Sequence, residues 1–255
     1  MITTLLFDLG GTLHNTEKTK ESGLRFCEHL ISLLSEYGFR LDIQPEALDA
    51  MLAVNGEEYK HFGEKNLIEL PQAEIWSGFF LKGLGIGPEQ LAPLAEELSF
   101  LYDSERVVNL PKPRLKETMK ALRDMGVRLG VISNIISTTL VPRALREYGI
   151  ADYMECVVMS SETGIRKPDP AIFRIAMERM GVTAAETGYV GDTISRDVLG
   201  SRNAGLGLCV RIENPSVAHR DAAFRGSDAP KADYVIKELD ELIPILSDMN
   251  GRTVR

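Results

Sequence analysis

Four short segments carry the residues best suited to chemistry. The first is Asp8, set in Leu6-Phe7-Asp8-Leu9-Gly10-Gly11-Thr12-Leu13. The second is Ser133-Asn134, directly after the apolar run ending in Val131-Ile132. The third is Gly164-Ile165-Arg166-Lys167-Pro168-Asp169-Pro170, and the fourth is Gly191-Asp192-Thr193, with Asp197 after four intervening residues. A carboxylate at a strand end can act as a nucleophile and form an acyl-phosphate. Carboxylate and phosphate repel each other, so a hard cation must stand between them, and Mg²⁺ prefers oxygen ligands. Asp192 is the natural second carboxylate ligand, and Asp197 can join directly or through water. Lys167 is a point cation able to touch both Asp8 and a transferred group. Ser133 can hydrogen-bond a phosphate oxygen, and the backbone N–H groups of Leu9 and Asn134 add donors. These parts fit phosphoryl transfer.

The chemistry needs those segments on one edge, and the rest of the chain predicts how they get there. Residues 3–7 form a short apolar run entering the Gly10-Gly11 loop, which reads as a buried strand followed by a tight turn. Over 16–37, Leu24, Cys27, Leu30, Ile31 and Leu34 recur at helical spacing, and Gly38 is placed to end that helix. Helical stretches follow over 45–54, 73–84 and 88–102, and no strand is predicted between Asn15 and Val108. Beyond Pro111 the pattern alternates. Helices over 114–125, 138–148, 170–180 and 195–204 lead into β-rich runs at 127–132, 156–159, 188–190 and 206–210. A last strand at 234–236 precedes a helix over 239–246, and 251–255 is expected to fray. Such alternation predicts an α/β fold, a Rossmann-like parallel sheet with helices on both faces. The core is assigned to residues 1–14 and 110–255, and an inserted all-helical domain to 15–109. Ligands bind outside the carboxyl ends of strands in such a sheet, where the chemical segments fall.

In order and spacing, Asp8-x-x-Gly11-Thr12, Ser133-Asn134, Lys167-Pro168 and Gly191-Asp192-x4-Asp197 resemble the four motifs of the haloacid dehalogenase-like superfamily. The resemblance spans the whole chain, with 15–109 in the place of a helical cap of the first type. It implies that Asp8 is the nucleophile, that Ser133 and Lys167 hold the phosphate, and that Thr12 orients the loop. It also implies that Asp192 binds Mg²⁺ with Asp197 as supporting acid. One position departs from the pattern. Phosphatases of the family carry a second Asp two residues after the nucleophile, as general acid and base, and this chain has Gly10. The Gly10 carbonyl, a metal ligand in the family, is retained, so the implied metal set is Asp8, Gly10, Asp192 and Asp197. A proton-transfer group typically supplies about 10²–10⁴-fold in rate. Its loss predicts slow ester hydrolysis, restriction to good leaving groups, or rescue by another residue, of which His14 is the nearest.

The expected activity is Mg²⁺-dependent hydrolysis of a small phosphorylated metabolite, with the cap closing over the site. A phosphonatase-like carbon–phosphorus hydrolase is an alternative. It fits the small residue at Gly10 and needs a Schiff-base lysine from the cap, for which Lys60, Lys65 and Lys82 are available. A 2-haloacid dehalogenase is a third reading, against which the Asp192/Asp197 pair argues. Gly10 also supports a nearly inert phosphate-binding protein.

Composition agrees with a globular protein. The 255 residues are 44% apolar, and the net charge of -8 disfavours nonspecific attraction to nucleic acid or anionic membrane. An anion site on such a protein must be local. Cys27, Cys156 and Cys209 have no metal-ligand spacing and are expected to pack as buried thiols. The apolar run of residues 2–7 is too short for a signal peptide and no stretch reaches the length of a membrane span, so the expected location is the cytoplasm. Trp76, Phe79 and Phe80 are expected to serve packing.

Overall fold

The computed structural model describes residues 1–224, 226 and 228–251. The predicted fraying therefore lies, from residue 252 on, outside the described residues. Strand β1 (Thr4–Phe7) enters the site. A two-stranded antiparallel ribbon, β2 (His14–Glu17) with β3 (Val108–Pro111), joins core and cap. Then come β4 (Arg128–Ser133), β5 (Met154–Met159), β6 (Thr187–Gly191), β7 (Leu208–Ile212) and β8 (Tyr234–Ile236). The main sheet runs β5-β4-β1-β6-β7-β8 with every pairing parallel. Chain order therefore moves outward on one side of β1 and returns to build the other. That reversal leaves a crevice at the carboxyl end of β1.

Alternation in the strands feeds two cores. Leu5, Phe7, Leu129 and Val131 pack on one face, while Leu6, Ile132, Val158 and Tyr189 pack on the other. Full burial of a Leu or Phe side chain contributes about 1.5–3 kcal/mol, so the strand carrying Asp8 is held from both sides. Phe7 lies in register with Val131 and Val190, which puts the three chemical strand ends side by side.

The inserted segment is built on helices Lys20–Glu36, Pro45–Asn66 and Ala95–Ser104 around its own core of Phe26, Leu30, Leu52, Trp76, Phe80 and Leu98. Trp76 and Phe80 are packing residues there, and all three cysteines are buried and free. Two predictions are corrected. The segment is not strand-free at its start, because β2 occupies His14–Glu17. Its sequence, with three exposed residues, shows no apolar alternation, and a partner more than ninety positions away defines the strand. The helix expected over 45–54 continues to Asn66, since Tyr59 and Gly63 extend the buried side through a polar stretch. Among the described residues no helix is long and apolar enough to cross a membrane.

Candidate active site

Asp8 sits one residue past β1, 6% exposed, and its N–H still joins the sheet by donating to the Val190 carbonyl (2.9 Å). The loop that follows turns sharply. Gly11 takes φ 77°, and a Cβ there would overlap the Asp192 carboxylate and the Asn214 amide. Only glycine lets the first loop lie against the fourth segment.

Lys167 arrives from the opposite side, 1% exposed. Its ammonium stands 2.9 Å from Asp8 Oδ1 and 2.8 Å from Asp197 Oδ1, and it donates to the Tyr189 hydroxyl (2.7 Å). Asn134 fixes the lysine backbone from both ends: its side-chain oxygen accepts from Lys167 N–H (2.8 Å) and its amide donates to the Lys167 carbonyl (3.0 Å). Asp197 is saturated. Lys167 and Tyr189 approach Oδ1, while the Thr193 N–H (2.9 Å) and hydroxyl (2.5 Å) donate to Oδ2. Burial pushes the Asp197 carboxyl up, but Lys167, Arg196 and these hydrogen bonds hold it far below the usual range.

Asp192 differs. Asn214 donates to its Oδ2 (2.8 Å), and its Oδ1 is buried with no partner. Burial, followed by the carboxylates of Asp197 and Asp8, pushes this group up to about 7. Burial also pushes Asp8 up, with Lys167 pulling it back. Asp8, Asp192 and Asp197 each bring an oxygen within 4.8 Å of the others. An orphaned carboxylate oxygen beside two further acids fits a hard divalent cation, which relieves both the lost hydrogen bond and the repulsion.

Asp8, Leu9, Gly10, Ser133, Lys167 and Asp192 line a cavity of about 520 Å³, together with Asn134 and His14. Leu9 donates its N–H to Asp8 Oδ1 (2.8 Å). Thr12 is fully buried beneath the loop and is not on the cavity wall, so its place suits loop packing rather than contact with phosphate. The position left by Gly10 is faced by His14, whose Nε2 lies 3.9 Å from where a Cβ on Gly10 would stand. His14 Nδ1 shares a 2.8 Å hydrogen bond with the Tyr148 hydroxyl, and burial lowers the imidazole to about 4.

The cap is tied to these loops. Buried Glu69 accepts from Tyr59, from Arg166 and from Ser160 (2.6 Å), and its N–H donates to the Gly164 carbonyl (2.9 Å). Glu96 accepts from Ser137 (2.7 Å), Thr138 (2.8 Å) and Thr139 (2.6 Å) in the loop after Ser133. Tyr189, Asn214 and Arg196 were not singled out by sequence. Asn214 follows the end of β7 and so falls on the reactive edge, a signal that strand order would have supplied. Tyr189 reads only as one more large residue in a buried strand.

A parallel α/β core with a helical cap, and an acid cluster with one lysine at the carboxyl ends of its central strands, defines a class of hydrolase. The chain belongs to the haloacid dehalogenase-like hydrolase family, whose model matches residues 2–205. It is 28% identical over 249 residues to a glyceraldehyde 3-phosphate phosphatase of Methanopyrus kandleri, covering 98% of this chain and 99% of that one. It is 26% identical over 259 residues to a ribulose-1,5-bisphosphate 5-phosphatase of Halopiger xanaduensis, covering 97% and 100%. The fold is shared with a 2-haloacid dehalogenase from Pseudomonas syringae pv. Tomato, at a TM-score of 0.65, 23% identity, and coverage of 98% and 100%.

Proposed function

We propose that the chain is a Mg²⁺-dependent phosphatase of small phosphorylated metabolites, sugar phosphates foremost, working through an aspartyl-phosphate on Asp8. One observation carries the reading: Asp8 and Asp192 meet at the floor of a cavity, Lys167 sits on the first, and the second keeps an oxygen without a partner. The phosphatase names of the full-length relatives support it.

Asp8, Asp192 and the Gly10 carbonyl would hold the cation, which when bound neutralises charge between carboxylate and phosphoryl oxygens. Asp197, with both oxygens engaged, serves by holding Lys167 in place. The contacts of Lys167 and Leu9 both fall on Asp8 Oδ1, so Oδ2 attacks phosphorus. The ester P–O bond breaks, the leaving alkoxide takes a proton from a solvent water, and Ser133 and Lys167 hold the phosphoryl oxygens. Water then attacks the acyl-phosphate at phosphorus, giving inorganic phosphate and regenerating Asp8.

The proton work falls to His14. With Nδ1–H donating to Tyr148, Nε2 faces the vacant Gly10 position and accepts the proton of the attacking water. The phosphonatase reading gains nothing from the cap lysines. Lys82 and Lys60 are paired with Glu58 and Glu57, and Lys65 is exposed.

The deciding experiment is turnover of a panel of sugar phosphates and p-nitrophenyl phosphate with Mg²⁺ and with EDTA. Turnover that needs Mg²⁺ and vanishes in Asp8→Asn supports the reading. Activity undiminished by EDTA, or by Asp8→Asn, ends it.

A further inference from the structure

Above the acid cluster the cavity changes sign. Lys18, Arg106, Arg196 and Arg220 line it, and the same four border an adjoining cavity of about 390 Å³. On a chain of net charge -8 this is a local concentration of cations. Their counterions are few. Arg106 (3.3 Å) and Lys18 (3.6 Å) share the single carboxylate of Asp49. Arg196 is balanced from below by the field of Asp197, Asp8 and Asp192. Arg220 has no ion pair among the described residues, and its Nε is buried without a hydrogen-bond partner, as is that of Arg106, which is 7% exposed. Burial and the neighbouring Arg196 push against the charge on Arg220 and outweigh the carboxylates of Asp192, Glu64 and Glu57, which favour it without forming an ion pair.

Arg220 is nonetheless held firmly. The segment bearing it is pinned to the fourth motif at two points. Asn214 donates to Asp192, and Asp221 accepts from the N–H groups of Ile194 (2.9 Å) and Ser195 (3.0 Å). Arg106 comes from the other side, just before β3 where the cap rejoins the core. A guanidinium set into a wall without an ion pair, as that of Arg220 is, is costly unless an anion meets it, and its planar fork suits phosphate or carboxylate.

We propose that Arg220, with Arg106 and Lys18, forms a second anion subsite, and that the substrate carries a second phosphate or a carboxylate besides the phosphoryl group delivered to Asp8. The inference rests on the phosphatase reading. It places the second group on the wall where cap and core meet, so cap closure completes the subsite.

The test compares kcat/KM, with Mg²⁺, for matched pairs: a pentulose 1,5-bisphosphate against the 5-phosphate, and 3-phosphoglycerate against glycerol 3-phosphate. At least one doubly anionic member should exceed its partner by about tenfold or more, the yield of one charge-assisted contact. The pair showing the preference tells phosphate from carboxylate. Arg220→Gln should collapse that ratio through KM, and Arg220→Lys should restore part of it. Independently of turnover, 3-phosphonopropanoate should raise the melting temperature of the wild type more than propylphosphonate does, and Arg220→Gln should remove the difference. Turnover with no preference in either pair, or a ratio unmoved by Arg220→Gln, overturns the subsite alone. No turnover of any ester overturns the phosphatase reading and the subsite with it.

Discussion

Lys167 Nζ lies 2.8 Å from Asp197 Oδ1 and 2.9 Å from Asp8 Oδ1, so one ammonium is shared between an anchoring acid and the proposed nucleophile. The two acids differ only in surroundings. Asp197 is saturated by donors and Asp8 opens on the cavity. Removing the anchor should therefore misplace the lysine without removing it. Asp197→Asn is expected to lower kcat for p-nitrophenyl phosphate by about 10²-fold, as misplacement of a positioned group does. A fall of less than about threefold would show that Lys167 does not depend on Asp197.

Gly10 leaves room beside His14, with Nε2 the nearest atom to an added Cβ at 3.9 Å. Gly10→Asp should raise turnover of p-nitrophenyl phosphate with Mg²⁺, within the roughly 10²–10⁴-fold span of general acid–base groups. If turnover stays flat, proton transfer is not what the wild type lacks.

His14→Ala should cut kcat about tenfold or more, and Gly10→Asp added to it should restore the loss. The histidine is lowered to about 4 by burial, so it stays neutral through the physiological range. The acid limb of the pH–rate profile should then show no step near 6.5 that disappears in the variant. A step of that kind would assign His14 a charged role instead.

Asp192 titrates near 7 against 3.8 for a free carboxyl, raised by burial and two neighbouring acids. A raised group contributes stability that is full below its unfolded value and lost as pH climbs through its folded value, here between about 4 and 7. Mg²⁺ requires the ionised form, so its affinity should rise with pH across the same window. Melting temperatures measured at pH 5.5 and pH 8 should show the larger Mg²⁺-induced increase at pH 8. Equal increases would mean that no raised carboxyl guards the metal position.

Glu96 ties cap to core. Burial pushes its carboxyl up, but hydrogen bonds from Thr139, Thr138, Ser137 and Gln72 outweigh it and hold the group near 2. A depressed acid stabilises the fold above its unfolded value of 4.5 and loses that contribution as pH falls toward 2. Glu96→Ala should cost about 2–3 kcal/mol in urea unfolding at pH 7, and less at pH 3. A cost independent of pH would place the effect in packing rather than in the charge.

Much of this protein was determined by the sequence alone. The alternating strands, the Asp8 loop, Ser133, Lys167 and Asp192 all rest on local pattern, because strand ends, tight glycine turns and helical spacing are decided by near neighbours. The sequence also shows Gly10 where the family resemblance implies a second acid. It offered His14 as the nearest residue to that gap, but left open how Asn134 grips Lys167, that Asp197 is saturated while Asp192 is not, and that Asn214 and Arg220 belong to the site at all. Most of those relationships join segments tens of residues or more apart. Strand order and the seating of the cap decide them, since a side chain's partners follow from three-dimensional packing and its charge state from burial.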